Sequence, residues 1–172
     1  MDANHHETAL EQAKRPRSII AGPYGHPFHP ILVTVPIGTW VASIVFDIVA
    51  LADAAEEKAF SEGAYWLIGI GIVGAVLAAV FGLIDLLAIP RGTRVFRTGL
   101  THMALNLIVV VVFVVDFAVR AGQGYENAST AGLVLSLVAL ALLGVSGWLG
   151  GRLAYHYGVR VASEGTQSEG YR

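Results

Sequence analysis

Histidine is the residue type in this chain with the widest chemistry. Four of its six histidines border long apolar runs. His26 and His29 lie in Gly25-His26-Pro27-Phe28-His29-Pro30, at the entrance to the first run. His102 stands at the start of the third run, and His156 follows the fourth. Neutral imidazole ligates zinc, copper and iron, and it titrates near neutral pH. Asp85 near the end of the second run can add a carboxylate ligand or orient an imidazole from behind. Asn106 lies one helical turn after His102 and shares its face.

Three readings of these residues compete. In the first, His26, His29, His102 and Asp85 hold a transition metal ion, or His102 with His29 or His26 holds haem b, and Asn106 borders the cofactor. In the second, the same layer relays protons or forms a small-molecule pocket. In the third, the residues are polar caps that satisfy helix ends and set register. An ionisable residue within a membrane is a functional hypothesis by default. Haem ligands usually lie deeper than His102, and a compact metal site needs three or four ligands to meet.

Other chemistries are absent from the sequence. No cysteine is present, so disulfides, thiolate metal sites, iron–sulfur ligation by this chain and c-type haem attachment are excluded. No phosphate loop, nucleophile elbow or nucleic-acid motif occurs. Gly69-Ile-Gly71-Ile-Val-Gly74 spells a dinucleotide fingerprint, but it lies inside an apolar run with no strand before it. The expectation is a protein that is not an enzyme and does not bind nucleic acid.

The elements that must position these residues are membrane helices. The 172 residues are 55% hydrophobic and only 14% charged, against about 25% charged in a soluble domain. The excess apolar residues fall in four runs near 31–51, 65–89, 100–119 and 130–153, each close to the roughly 20 residues that cross the hydrocarbon as a helix. Residues 1–20 form a polar N-terminal tail, with an amphipathic helix open over Glu7 to Lys14. The transmembrane domain covers 21–161, and 162–172 is a second polar tail. The first apolar run starts too late for a secretory signal. Of the eleven Lys and Arg, all but Lys58 and Arg120 fall on the side holding both termini and the 90–99 turn. The positive-inside rule makes that side cytoplasmic. The expected fold is all-α: an up-down-up-down four-helix membrane bundle with both termini cytoplasmic. On that topology His26, His29, Asp85, His102, Asn106 and His156 converge on the cytoplasmic face.

Remaining polar residues have simpler expected roles. Asp85 pairs with Arg91, Arg94, Arg97, Arg152 or His102. Asp47 and Asp116 lie near the outer face, where each hydrates, or together they form an acidic cation entry. Arg91, Arg94 and Arg97 set topology and meet anionic lipid heads. Pro36 can kink the first span and free a carbonyl. Gly74, Ala78 and Gly82, like Gly147 and Gly151 with Gly144 and Gly150 nearby, are small-residue faces for packing within the bundle, or for a homo-oligomer.

Gly25 to Pro30 with the following Ile-Leu-Val and Pro36, then His102 with Asn106, and Ser146-Gly147-Trp148-Leu149-Gly150-Gly151 with Tyr155 and Gly158-Val159, resemble the bacterial membrane family catalogued as domain of unknown function 2231. The resemblance covers roughly Gly25 to Val161. It implies a four-helix protein of the bacterial inner membrane, in redox or respiratory surroundings because some relatives are joined to Rieske-type domains, and it carries no established activity. Relatives are expected to have histidine directly before the Gly-Val of the last block. Here Tyr157 stands there, and His156 is one residue early, which turns a helical side chain by about 100°. The expected function is a cofactor-binding, redox-associated membrane subunit. A small proton-coupled transporter and a purely structural subunit of a membrane complex are the alternatives.

Overall fold

A computed structural model describes residues 3–172, with side chains from Thr8 onward. The fold is all-α, as the sequence predicts: no strand occurs among the described residues. In chain order the α-helices are α1 (Ala3–Lys14), α2 (His29–Leu32), α3 (Thr34–Ala52), α4 (Glu57–Ala88), α5 (Arg94–Gln123), α6 (Thr130–Gly151) and α7 (Glu164–Ser168). Four segments are long and apolar enough to cross a membrane: His29–Ala52, Glu57–Ala88, Arg94–Gln123 and Thr130–His156. The last includes a π-helical turn, Arg152–His156, that continues α6.

The second and third helices outrun their apolar cores. α4 starts at Glu57, ahead of the apolar run at 65, and α5 starts at Arg94 rather than near 100. Polar flanks continue a helix readily once it is nucleated, because each added residue gains one hydrogen bond. Explicit caps fix the starts of α5 and α6. Thr93 Oγ1 accepts from Phe96 N at 3.0 Å, and Ser129 Oγ accepts from Gly132 N at 3.0 Å. These satisfy amide donors that the first turn leaves without partners. The boundary between α2 and α3 falls where Pro36 demands it. Pro36 has no N–H for the Leu32 carbonyl four residues back, and its ring crowds that carbonyl. The hydrogen-bonded helix resumes with Ile37 N donating to Val33 O.

Helix α3 exposes an apolar face and buries polar residues. Val41, Val45 and Ile48 of α3 are exposed, whereas Ser43 and Asp47 of the same helix are buried. Such broad exposed apolar faces are what lipid covers.

The chain forms two compact units. One comprises residues 32–78 and 105–145. Its core is Trp40, Ile68, Ala75, Val109, Phe113 and Ala139. Trp40 stacks on Phe113 with ring centroids 4.0 Å apart, and its Nε1 donates to Ile68 O at 3.3 Å. Gly71 is the seat for that indole: a Cβ there would overlap it. Gly74 takes Val35 and Pro36 in the same way, so this small-residue face packs inside the unit.

The other unit comprises residues 1–31, 79–104 and 146–172. Here α1 begins before the expected Glu7 and lies against the end of α4. Gln12 Nε2 donates to Ala88 O at 3.0 Å, and Arg17 Nη1 donates to Leu87 O at 2.8 Å. Both carbonyls belong to the last turn of α4, where helical partners run out. Polar residues of the N-terminal segment therefore finish a membrane helix.

Candidate functional site: a histidine pair and two buried ion clusters

His29 is the first residue of α2 and is half-buried; His26 is exposed. The turn before them depends on glycine. Gly22 has φ +95° and Gly25 φ +77°, a backbone region costly for other residues. At Gly22 a Cβ would also collide with the His26 carbonyl. The peptide thus reverses tightly and delivers His29 to the start of the first span.

His29 and His102 come together. Their ring centroids are 6.4 Å apart, with the planes nearly perpendicular at 88°. Each imidazole is seated against a glycine. A Cβ on Gly82 of α4 would lie 2.9 Å from His29 Cε1, and a Cβ on Gly150 of α6 would lie 3.1 Å from His102 Cε1. The two glycines that the sequence suggests for helix packing are also the seats of the histidine rings.

His102 is anchored on Ser146. Its Nδ1 is 2.8 Å from Ser146 O and 3.0 Å from Ser146 Oγ, so it donates to the carbonyl in one tautomer and accepts from the hydroxyl in the other. Ser146 Oγ donates to His102 O at 3.2 Å, which ties the start of α5 to α6 a second time. Orientation of one ring nitrogen by a backbone carbonyl is the arrangement that fixes an imidazole as a ligand or base.

The other predicted site residues go elsewhere. Asp85 turns to Arg160, a partner outside the five expected: Arg160 Nε is 2.9 Å from Asp85 Oδ1. Arg160 Nη2 also donates to Ala21 O and Gly22 O, at 3.0 Å each. Arg160 is the non-glycine residue with positive φ, at 60°, and that left-handed turn aims its side chain inward. Asp85 and Arg160 therefore brace the loop that carries the histidines. Asn106 is half-buried one turn beyond His102 and belongs to the other unit. His156 is exposed beside Tyr157, with ring centroids 4.9 Å apart. Among the described residues no group of three or more His, Asp or Glu gathers where a metal ion could sit.

Asp47 and Asp116 do not hydrate separately. They are 2% and 0% exposed, and Arg120, 3% exposed, lies between them. Arg120 Nη1 and Nη2 donate to the two Asp47 oxygens at 2.5 and 2.8 Å. Its Nε donates to Asp116 Oδ1 at 2.8 Å, and Ser136 Oγ donates to Asp116 Oδ2 at 2.6 Å. The guanidinium also lies against Gly132, where a Cβ would come within 2.7 Å of it. An aqueous acidic cation entry is excluded, because both carboxylates are dry and already answered. Asp116 and Arg120 are four apart on one helix. That spacing was a signal for this pair in the sequence, but Arg120 reads there as a connection residue beyond the apolar run.

A family model described as predicted membrane protein (DUF2231) matches residues 25–163. The chain belongs to that family. The family region opens at the histidine–proline turn and includes the histidine pair, Asp85 with Arg160, and the Asp47–Arg120–Asp116 cluster. Helix α1 precedes it and α7 follows it. No curated protein and no solved structure matches the chain.

Proposed function

We propose that this member of the family is a non-enzymatic, cofactor-binding membrane subunit whose centre is the His29–His102 pair. The observation that carries the reading is a pair of imidazoles with ring centroids 6.4 Å apart, one of them held through Nδ1 by Ser146. Two imidazoles are too few for a closed zinc site, which takes four protein ligands. They would suffice to hold a haem iron, or a metal ion that accepts low coordination or completes its shell with small ligands. His29 and His102 would hold the group. Ser146, Gly82 and Gly150 would position the rings, and Asp85 with Arg160 would hold the loop. His26, Asp85 and Asn106 leave the proposed ligand set.

The membrane in question is proposed to be the bacterial cytoplasmic membrane, with both termini inside. The arginines around the 90–99 turn and after α6 support that orientation. Redox association follows from iron or copper chemistry at the pair and would imply a membrane redox partner.

The test is a visible spectrum and a metal analysis on protein purified in mild detergent from cells well supplied with iron, copper and haem precursor. The expected result is a Soret band or a stoichiometric metal that is lost in His102→Ala. Protein with neither would overturn the reading.

A proton-coupled transporter is the second reading, and one observation favours it: two carboxylates are buried against a single guanidinium. Proteoliposomes loaded with a pH-sensitive dye check it. Proton flux lost in Asp116→Asn would support transport, and flux indistinguishable from empty vesicles would end it.

A further inference from the structure

Arg91, Arg94, Arg97 and Arg152 border the turn into α5 and the end of α6. None of the four forms an ion pair among the described residues. Three of them, Arg94, Arg97 and Arg152, line one cavity of about 390 Å³. No carboxylate lines it. Its wall includes Leu149, Tyr157 and two threonines, whose hydroxyls already donate to backbone carbonyls. The donors available to a guest are therefore the guanidinium N–H groups, with the Tyr157 hydroxyl beside them.

Arg152 is held in place. Its guanidinium carbon lies 5.7 Å from the Trp148 ring centroid and 5.4 Å from that of Tyr157. Cation–π contact with two rings restrains a long side chain that would otherwise sample many rotamers. Three guanidiniums around one concavity repel each other unless an anion lies between them. Their planar forks match phosphate oxygens two at a time.

We propose that this cavity binds a phosphate group between Arg94, Arg97 and Arg152, and that an anionic phospholipid supplies it. Leu149 and the exposed indole of Trp148 offer apolar surface beside the guanidiniums for the glycerol and first acyl carbons. Both helices that frame the cavity are membrane spans, so a lipid head arrives there already oriented.

The experiment titrates the detergent-purified protein with short-chain phosphatidylglycerol, short-chain phosphatidylcholine and sodium phosphate, and follows the unfolding temperature. Phosphatidylglycerol is expected to raise it. Arg94→Gln, Arg97→Gln and Arg152→Gln should each weaken the half-saturating concentration about fivefold. Arg15→Gln removes the same charge from an exposed position outside the cavity and should leave it unchanged. If sodium phosphate reproduces the effect at equal concentration with the same sensitivity to the three substitutions, the phosphate site stands and its occupant is soluble. An equal response to phosphatidylcholine would overturn the proposal. So would an equal loss in Arg15→Gln, or no loss in Arg97→Gln and Arg152→Gln.

Discussion

Two buried carboxylate–guanidinium sets in this chain are built to different standards. In the Asp47–Arg120–Asp116 set, both terminal guanidinium nitrogens and Nε each have a carboxylate oxygen, and Ser136 takes the fourth oxygen. In the Asp85–Arg160 set, only Nη2 has hydrogen bonds, and these go to carbonyls. Arg160 Nε and Asp85 Oδ1 are 2.9 Å apart, yet neither makes an aligned hydrogen bond, and Arg160 Nη1 has none. The pair is in contact, but less of its hydrogen-bonding capacity is used. A fully answered polar network fixes one geometry, and a buried donor without a partner carries a desolvation cost. The first set reads as a lock between α3, α5 and α6. The second reads as a less fully bonded brace on the loop that presents His29.

Substitution separates the two sets, and the largest effect should come from the lock. Arg120→Leu leaves two buried carboxylates without a cation, so the loss should be about 3–5 kcal/mol, read as a fall in unfolding free energy in detergent. Arg160→Leu leaves one carboxylate that is not wholly buried and should cost less, about 1–3 kcal/mol. If the two losses are equal, or their order is reversed, the distinction between lock and brace is wrong.

Smaller substitutions sharpen it. Gly82→Ala and Gly150→Ala should each cost about 1–3 kcal/mol, because the imidazole seated there must move. The Nδ1–H of His102, observed by nitrogen-15 NMR, should shift in Gly150→Ala. Ser136→Ala removes one donor from Asp116 and should cost about 1 kcal/mol. His26→Ala touches neither set and should stay within about 0.5 kcal/mol of the parent. A large loss there would mean that the exposed histidine has a role in the loop that its position does not suggest.

Much of the fold was legible in the residues. Four apolar runs of the right length leave the chain no choice but membrane helices, and Pro36 marked the interruption between α2 and α3. The meeting of His29 with His102 followed from alternating helix direction. The ion partners were not legible. Asp85 pairs with Arg160, which lies 75 positions away in sequence on a backbone that takes a left-handed turn there. Asp47 finds Arg120 across a comparable separation. Pairing between distant positions is set by helix rotation and rotamer, and periodicity in one sequence does not report either. The glycine seats were half legible: Gly82 and Gly150 stood out as small residues, but nothing local says that an imidazole rather than a helix backbone occupies the space.

Bound haem and metal per protein, measured side by side in the parent, His29→Ala, His102→Ala and His26→Ala, decide whether the proposed His29–His102 pair is a ligand site. One bound group is expected in the parent and in His26→Ala, with its loss in both of the other variants while the protein stays folded. A group retained in His102→Ala, or no group in any of the four proteins, would contradict it.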